Sequence, residues 1–209
     1  FVSDEMPKST IADVAREFNR LDASFLAACT VKVTPGLSLL AAPEDPSMAM
    51  EVKPEHIDAI LNLAVLQYDF VLLDMSRALD TLSIRALDRA SRIFPVLQTG
   101  LPGLRNATKL LGVFKSLGYA PEKIELLVNR FDKSSEIGAP EVRRSFGRTA
   151  QRLIPDSPKE VNAAINRGVP LAQLSRSNPV VRSLADMVAV LSPREEENTS
   201  LFNRLFGRA

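Results

Sequence analysis

The sequence contains one cysteine, Cys29, and one histidine, His56, and this scarcity removes whole classes of chemistry. An internal disulfide needs a second cysteine, and a single histidine leaves little for a metal cluster or a Ser-His-Asp site. Cys29 reads instead as a small core residue, and His56, following Pro54-Glu55, as a helix-surface residue. An excess of charge is also missing. The 26 Lys+Arg and 25 Asp+Glu nearly cancel, which leaves no global electrostatic case for a nucleic-acid partner. No apolar run approaches the roughly 18 residues of a membrane span. No signal peptide is visible, so a cytoplasmic location is expected. Internal repeats and low-complexity tracts are absent too. What is present, 45% hydrophobic and 24% charged residues over 209 positions, suits one substantial domain that buries a full core without staples.

The chain is organised around Tyr68-Asp69-Phe70-Val71-Leu72-Leu73-Asp74. Four apolar residues without polar alternation predict a strand buried on both faces, as in a parallel sheet covered by helices. On either side, helical and strand patterns alternate. Ser9 or Thr10 can cap a helix through Ile11, Val14 and Phe18, and Leu21 to Cys29 is helical. Leu37 to Ala42 is a short strand closed by Pro43-Glu44-Asp45-Pro46, and Pro54 opens a helix with Ile57, Ile60, Leu61, Ala64 and Val65 on one face.

The alternation continues with a helix over Thr81–Ala90 and a strand over Ile93–Gln98, made irregular by Pro95. A helix over Leu104–Leu117 ends at Gly118. Ile124–Asn129 is a strand, Ala139–Phe146 a helix and Ala150–Ile154 a weaker strand. Helices over Ser157–Asn166 and Asn178–Leu191 close the domain. The pattern predicts an α/β fold, a doubly wound parallel sheet with helices on both faces, over residues 1–191. Residues 192–209 form a polar linker and a short amphipathic tail. Leu201, Phe202, Leu205 and Phe206 share one face of that tail, which can touch a membrane surface or a partner groove, although such a tail more often frays or packs on its own domain.

Parallel sheets collect their functional groups at the carboxyl ends of the strands. Those ends carry Pro43-Glu44-Asp45, Asp74-Met75-Ser76, Gln98-Thr99, Asn129-Arg130 and Pro155-Asp156. A carboxylate can orient magnesium through water, and an Asn side chain offers a donor and an acceptor to an adenine edge. Each residue also has a plain structural reading. Asp74 can end a strand and cap a turn, Asn129 can be a strand-end turn residue, and Asp156 a first-turn acid of the next helix. Arg143, Arg144 and Arg148 around one short helix read as a solvated face.

Taken in order, several segments resemble the MinD/ParA group of deviant-Walker ATPases, and within it the CpaE/TadZ pilus-assembly proteins. They are Gly36-Leu37-Ser38-Leu39-Leu40-Ala41-Ala42-Pro43-Glu44-Asp45-Pro46, Tyr68–Asp74, Leu101-Pro102-Gly103-Leu104-Arg105-Asn106-Ala107, Leu127-Val128-Asn129-Arg130-Phe131-Asp132, Ile154-Pro155-Asp156 and Ala163–Leu171. The resemblance implies a P-loop-NTPase-like sheet and ATP with Mg2+ at a homodimer interface. The cytoplasmic protein would act at the inner face of the membrane or a cell pole. Its role would be to place the secretion machinery of Flp/Tad-type pili, with those machinery proteins as partners. Matched position by position, Asp74 is the Walker B-like catalytic and magnesium acid. Asn129 with Arg130, and Pro155 with Asp156, are the base-binding residues.

The departures set further expectations. No G-x-x-x-x-G-K-[ST] phosphate loop occurs, and Gly112 and Gly118 do not substitute for one. Ser76 stands where the family commonly has proline. With Phe1 at the start, the chain looks like a fragment lacking the first strand–helix unit and the Walker A loop, inactive alone, its sheet open to self-association. Whether the parent hydrolyses ATP stays open. A nucleotide-independent positioning scaffold and a septum- or partition-placing MinD/ParA relative remain the alternatives.

Overall fold

Helix starts follow the side chains that can cap them. In the computed structural model, which describes residues 7–147 and 149–192, the chain divides into two compact units with the boundary between Ile93 and Phe94. In the first unit, helix α1 (Ile11–Arg16) begins at Thr10, whose N–H and hydroxyl both donate to Asp13 Oδ2 at 2.8 Å. Helix α2 (Ala23–Ala28) begins at Asp22, which accepts from Phe25 N–H at 2.7 Å. A hairpin follows, strand β1 (Val31–Thr34) antiparallel to β2 (Leu37–Leu39), with Pro35-Gly36 at its turn. Helices α3 (Pro46–Ala49), α4 (Pro54–Gln67) and α5 (Thr81–Arg89) complete the unit.

Val14, Leu26, Cys29, Ile60 and Ala64 form the core where α1, α2 and α4 meet, and burial pushes the Cys29 thiol up from its ordinary range. Helix α5 is tied to α4 by Arg85, whose Nε donates to Asp58 Oδ2 at 2.7 Å, and by Arg89 donating to Asn62.

Three expectations are corrected in this unit. Phe70–Asp74 is not in a strand: the segment carries no ladder, and Phe70, Leu72 and Leu73 are exposed. An apolar run specifies a strand only where a neighbouring strand is there to pair with it. The strand expected at Leu37–Ala42 is shorter and is the second arm of the hairpin, which the Val31–Thr34, Pro-Gly, Leu37–Leu39 pattern could have signalled. Ala41 instead bridges to Thr10. His56 is buried rather than on the surface, its ring 4.7 Å from that of Phe18 and its Nδ1 accepting from Lys53 N–H.

The second unit holds a three-stranded parallel sheet in the order β3 (Val96–Gln98), β4 (Glu125–Phe131), β5 (Ala150–Pro155). Strand β3 starts only after Pro95, which lends its carbonyl to Leu127 N–H but has no N–H of its own. Leu126 and Val128 of β4 pack with Leu97 beneath Leu104 and Ala107 of helix α6 (Leu101–Ser116) and Val142 and Phe146 of helix α7 (Ala139–Phe146). Leu127 points to the opposite face by the two-residue period and is buried too, so the sheet is covered on both sides. Gly118, at φ 79°, closes α6 as expected. Helices α8 (Pro158–Asn166), α9 (Leu171–Leu174) and α10 (Pro179–Leu191) follow, and α10 packs against β5. The tail with Leu201–Phe206, and Arg148, lie outside the described residues.

Candidate functional site

The carboxyl ends of β4 and β5 bring four of the expected residues together. Register runs regularly from Glu125 opposite Ala150 to Val128 opposite Leu153, then slips, and resumes with Phe131 opposite Pro155. Asn129 and Arg130 therefore face Ile154 alone, a bulge of the kind that re-aims side chains beside functional sites. Arg130 sits in the bulge at φ 53°, a left-handed conformation that a non-glycine residue adopts at a cost. Its N–H donates to Asn129 Oδ1 at 2.9 Å, a side-chain bond that helps hold that conformation.

From that turned backbone the Arg130 guanidinium reaches Asp156, Nε to Oδ1 at 3.3 Å. Asp156 N–H donates to Phe131 O at 3.2 Å, extending the β4–β5 pairing one step past Pro155. The pair is partly exposed, with side-chain exposure of 56% for Arg130 and 31% for Asp156, so its contribution to stability is small. Its position is what matters. An amide, a guanidinium and a carboxylate stand on one rim, with Gln98 opposite Asn129 on the neighbouring strand.

The loop after Asp156 is held by a residue that sequence reasoning placed only as a helix start. Asn178 is 5% exposed, and its Oδ1 caps α10 by accepting from Val180 N–H at 2.9 Å. Its Nδ2 donates to Ser157 Oγ at 2.8 Å, and the Ser157 hydroxyl donates to Glu160 Oε2 at 2.8 Å. That last bond holds the Glu160 carboxyl below its ordinary value. The Asn-Pro pair at Asn178-Pro179 signalled the cap, whereas nothing in the pattern signalled the bond to Ser157.

Asp74 belongs to the first unit, exposed in the segment between α4 and α5 that is neither helix nor strand. In the same unit a shallow groove of about 430 Å3 runs between those helices, lined by Glu55, Asp58, Thr81, Arg85 and Asp88 among others. Arg85 and Asp58, both in its lining, pair with each other across it.

Comparison with known proteins bears on the fold that carries this rim. No protein-family model matches the chain. The septum site-determining protein MinD of Thermotoga maritima is 24% identical over 146 residues, 68% of this chain and 53% of that protein. Among solved structures, a ParA family ATPase from Chlorobium tepidum superposes with a TM-score of 0.82 at 22% identity, over 89% of this chain and 78% of its own. The fold is that of the MinD/ParA ATPases. MinD in the MinC:MinD cell division complex of Aquifex aeolicus gives a TM-score of 0.68 at 21% identity, covering 90% of this chain and 74% of its own. MinD of Pyrococcus horikoshii, complexed with Mg-ADP, gives 0.60 at 17% identity, covering 88% and 80%. The chain spans about half the length of the Thermotoga MinD it matches.

Amide and carboxylate groups on one rim are chemically suited to hydrogen bonds with a heterocyclic base. Asn129 supplies an amide and Asp156 a carboxylate at a strand-end rim of the kind where α/β sheets bind ligands. The phosphate end is not provided for, because the 209 residues contain no Gly-rich loop with a lysine. Among the described residues, no group of three or more His, Cys, Asp or Glu is placed to hold a metal ion, so Asp74 is a single candidate ligand. No described helix is long and apolar enough to cross a membrane.

Proposed function

We propose that this chain is the base-recognising part of a MinD/ParA-type ATP switch. Such a protein binds Mg-ATP, pairs with a second copy of itself in that state, and uses the paired form to position a protein assembly in the cell. The observation that carries the proposal is the bulge at Asn129-Arg130 with Asp156 beside it, at the strand ends of a MinD/ParA fold. In this reading Asn129 and Arg130, with Pro155 and Asp156, take the adenine, and Asp74 orients magnesium. ATP supplies the phosphate chemistry when bound, while these residues select and orient its base. The complexes of relatives with Mg-ADP and with MinC make a nucleotide and a protein partner the natural ligands to test. The balanced charge speaks against nucleic acid, and the Leu201–Phe206 segment is suited to a contact at the inner face of the membrane.

A narrower reading has its own support in the sequence. The Gly36–Pro46 segment resembles a CpaE/TadZ-like protein that places Flp/Tad pilus secretion machinery, at a cell pole for example, whereas Ser76 in place of proline fits a nucleotide-independent scaffold better. A fluorescent fusion found only at the division septum would overturn that narrower reading and leave the ATP switch intact.

The deciding measurement is calorimetric titration with Mg-ATP, on this chain and on the longest natural polypeptide containing it. The chain alone is expected to show no binding. The longer polypeptide should bind at micromolar concentration and lose at least about tenfold on Asn129→Ala, the worth of one or two hydrogen bonds to the base. Asp74→Ala should remove the magnesium dependence. A longer polypeptide that ignores ATP sinks the switch and leaves a nucleotide-independent positioning scaffold.

A further inference from the structure

Asp156 stands one residue before the start of an interlocked hydrogen-bond chain, and the centre of that chain is Asn178. Buried amides are costly unless both ends are satisfied. Asn178 satisfies its two ends on different elements, its oxygen on the first turn of α10 and its nitrogen on Ser157. A residue needed only to cap α10 would use the oxygen alone, and aspartate or serine would serve as well. The nitrogen has a separate task. By donating to Ser157 Oγ it directs the Ser157 hydroxyl proton toward Glu160 Oε2, in the first turn of α8. Ser157 is thereby fixed from both sides, by α8 and by α10.

Strand β5 supplies the other anchor. Phe131 pairs with Pro155, and Phe131 O receives Asp156 N–H, so Asp156 is clamped between the sheet on one side and the Ser157–Asn178 bond on the other. A two-residue link held at both ends cannot wander far. The Asp156 carboxylate thus has a set place on the rim beside Arg130.

We infer that Asn178 is a positioning residue for base recognition, acting through Ser157 to hold Pro155-Asp156 at the rim. The inference rests on the proposed role of that rim in binding adenine. Asn178 acts on the base end of the ligand alone, so its loss changes how well ATP is preferred to GTP and leaves affinity for inorganic triphosphate unaltered. A role confined to stability would move neither selectivity nor the relation between the two.

The test uses the longest natural polypeptide containing the chain, titrated with Mg-ATP, Mg-GTP and inorganic triphosphate, and melted without ligand. Asn178→Asp keeps an acceptor for Val180 N–H, and with it the helix cap, but loses the donor to Ser157. Ser157→Ala removes the same bond from the other side. Each is expected to weaken ATP about tenfold, the effect of about one lost hydrogen bond, and to narrow the ATP preference. Affinity for triphosphate should change less than twofold. Asn178→Gln, with the same amide on a longer stem, should not restore the preference.

If the unsubstituted protein prefers ATP and Asn178→Asp and Ser157→Ala keep that preference in full, the inference is wrong and the rim reading stands. An equal loss for all three ligands also overturns it, because it marks a general loss of structure. If the unsubstituted protein shows no preference between ATP and GTP, the rim reading fails and takes the inference with it.

Discussion

Two runs of nearly the same apolar character meet opposite fates in the two units. In the second, Leu126-Leu127-Val128 forms the middle of β4, with Leu126 and Val128 at 0% exposure. In the first, Phe70-Val71-Leu72-Leu73 stays out of any strand, and Leu72 is 84% exposed. The local sequences cannot account for this difference, since both are short runs of large aliphatic residues. Neighbours account for it. Strand β4 has β3 on one edge and β5 on the other, which satisfy its backbone groups and bring α6 and α7 down on its side chains. Phe70–Leu73 has no ladder to join. Burial is therefore a property of the sheet and only an opportunity for the strand.

The largest expected effect would break this comparison directly. Leu126→Ala should destabilise the second unit by about 3 kcal/mol, through lost transfer energy and the cavity left under α6 and α7. Leu72→Ala should change stability by less than about 0.5 kcal/mol, as for other exposed positions. Urea denaturation followed by circular dichroism measures both. Equal losses at the two positions would mean that Phe70–Leu73 is paired in solution and buried like β4.

A second, smaller effect sharpens the account of why the β3–β4–β5 ladder holds. The chain leaves β3 and re-enters α6 so tightly that a Cβ on Gly103 would lie 2.4 Å from the Gln98 carbonyl oxygen. Gly103→Ala must push the start of α6 off the end of β3 and should cost about 1–3 kcal/mol, the usual range for overpacking. Gly112, in the same helix, meets nothing within 4 Å. Gly112→Ala should stabilise by up to about 1 kcal/mol, because alanine is the better helix former. Thermal melts of the two variants should therefore move in opposite directions. A downward shift for both would count against a special role for the approach at Gly103.

How far the sequence alone reached follows from the same physics. Helix starts at Thr10, Pro54 and Thr81, and the stop at Gly118, were legible because each depends on bonds within a few residues. Strand β4 was legible because its run happened to be paired, and Phe70–Asp74 misled because it was not. The positions of Asn129, Arg130 and Asp156 could be found by reading to the ends of the strands. The bulge and the left-handed Arg130 could not, because a register slip exists only between two strands. The bond from Asn178 to Ser157 was hidden for a similar reason, as it joins elements separated by α8 and α9. His56 was misplaced because its partner, Phe18, lies on a distant part of the chain.

The smallest effect concerns the first unit, whose helices lean on carboxylate caps. Asp80 accepts from Ser83 N–H at 2.8 Å, and this bond holds its carboxyl below the ordinary value of 3.8. At a given pH near that value the unfolded chain binds more protons than the folded one, so stability rises with pH across the window. The contribution is full above the unfolded value and is lost as pH falls through the lower, folded one. Asp80→Ala should cost about 1 kcal/mol at neutral pH, the usual worth of an N-cap. Asp80→Asn keeps an acceptor but has no charge to lose, so it should lie slightly below the parent at pH 7 and draw level with it as pH falls from about 5 toward 3. The effect is limited because the side chain is solvent-exposed. Stability curves for the parent and Asp80→Asn that stay parallel over that range would show that the cap acts through shape alone, with no help from its charge.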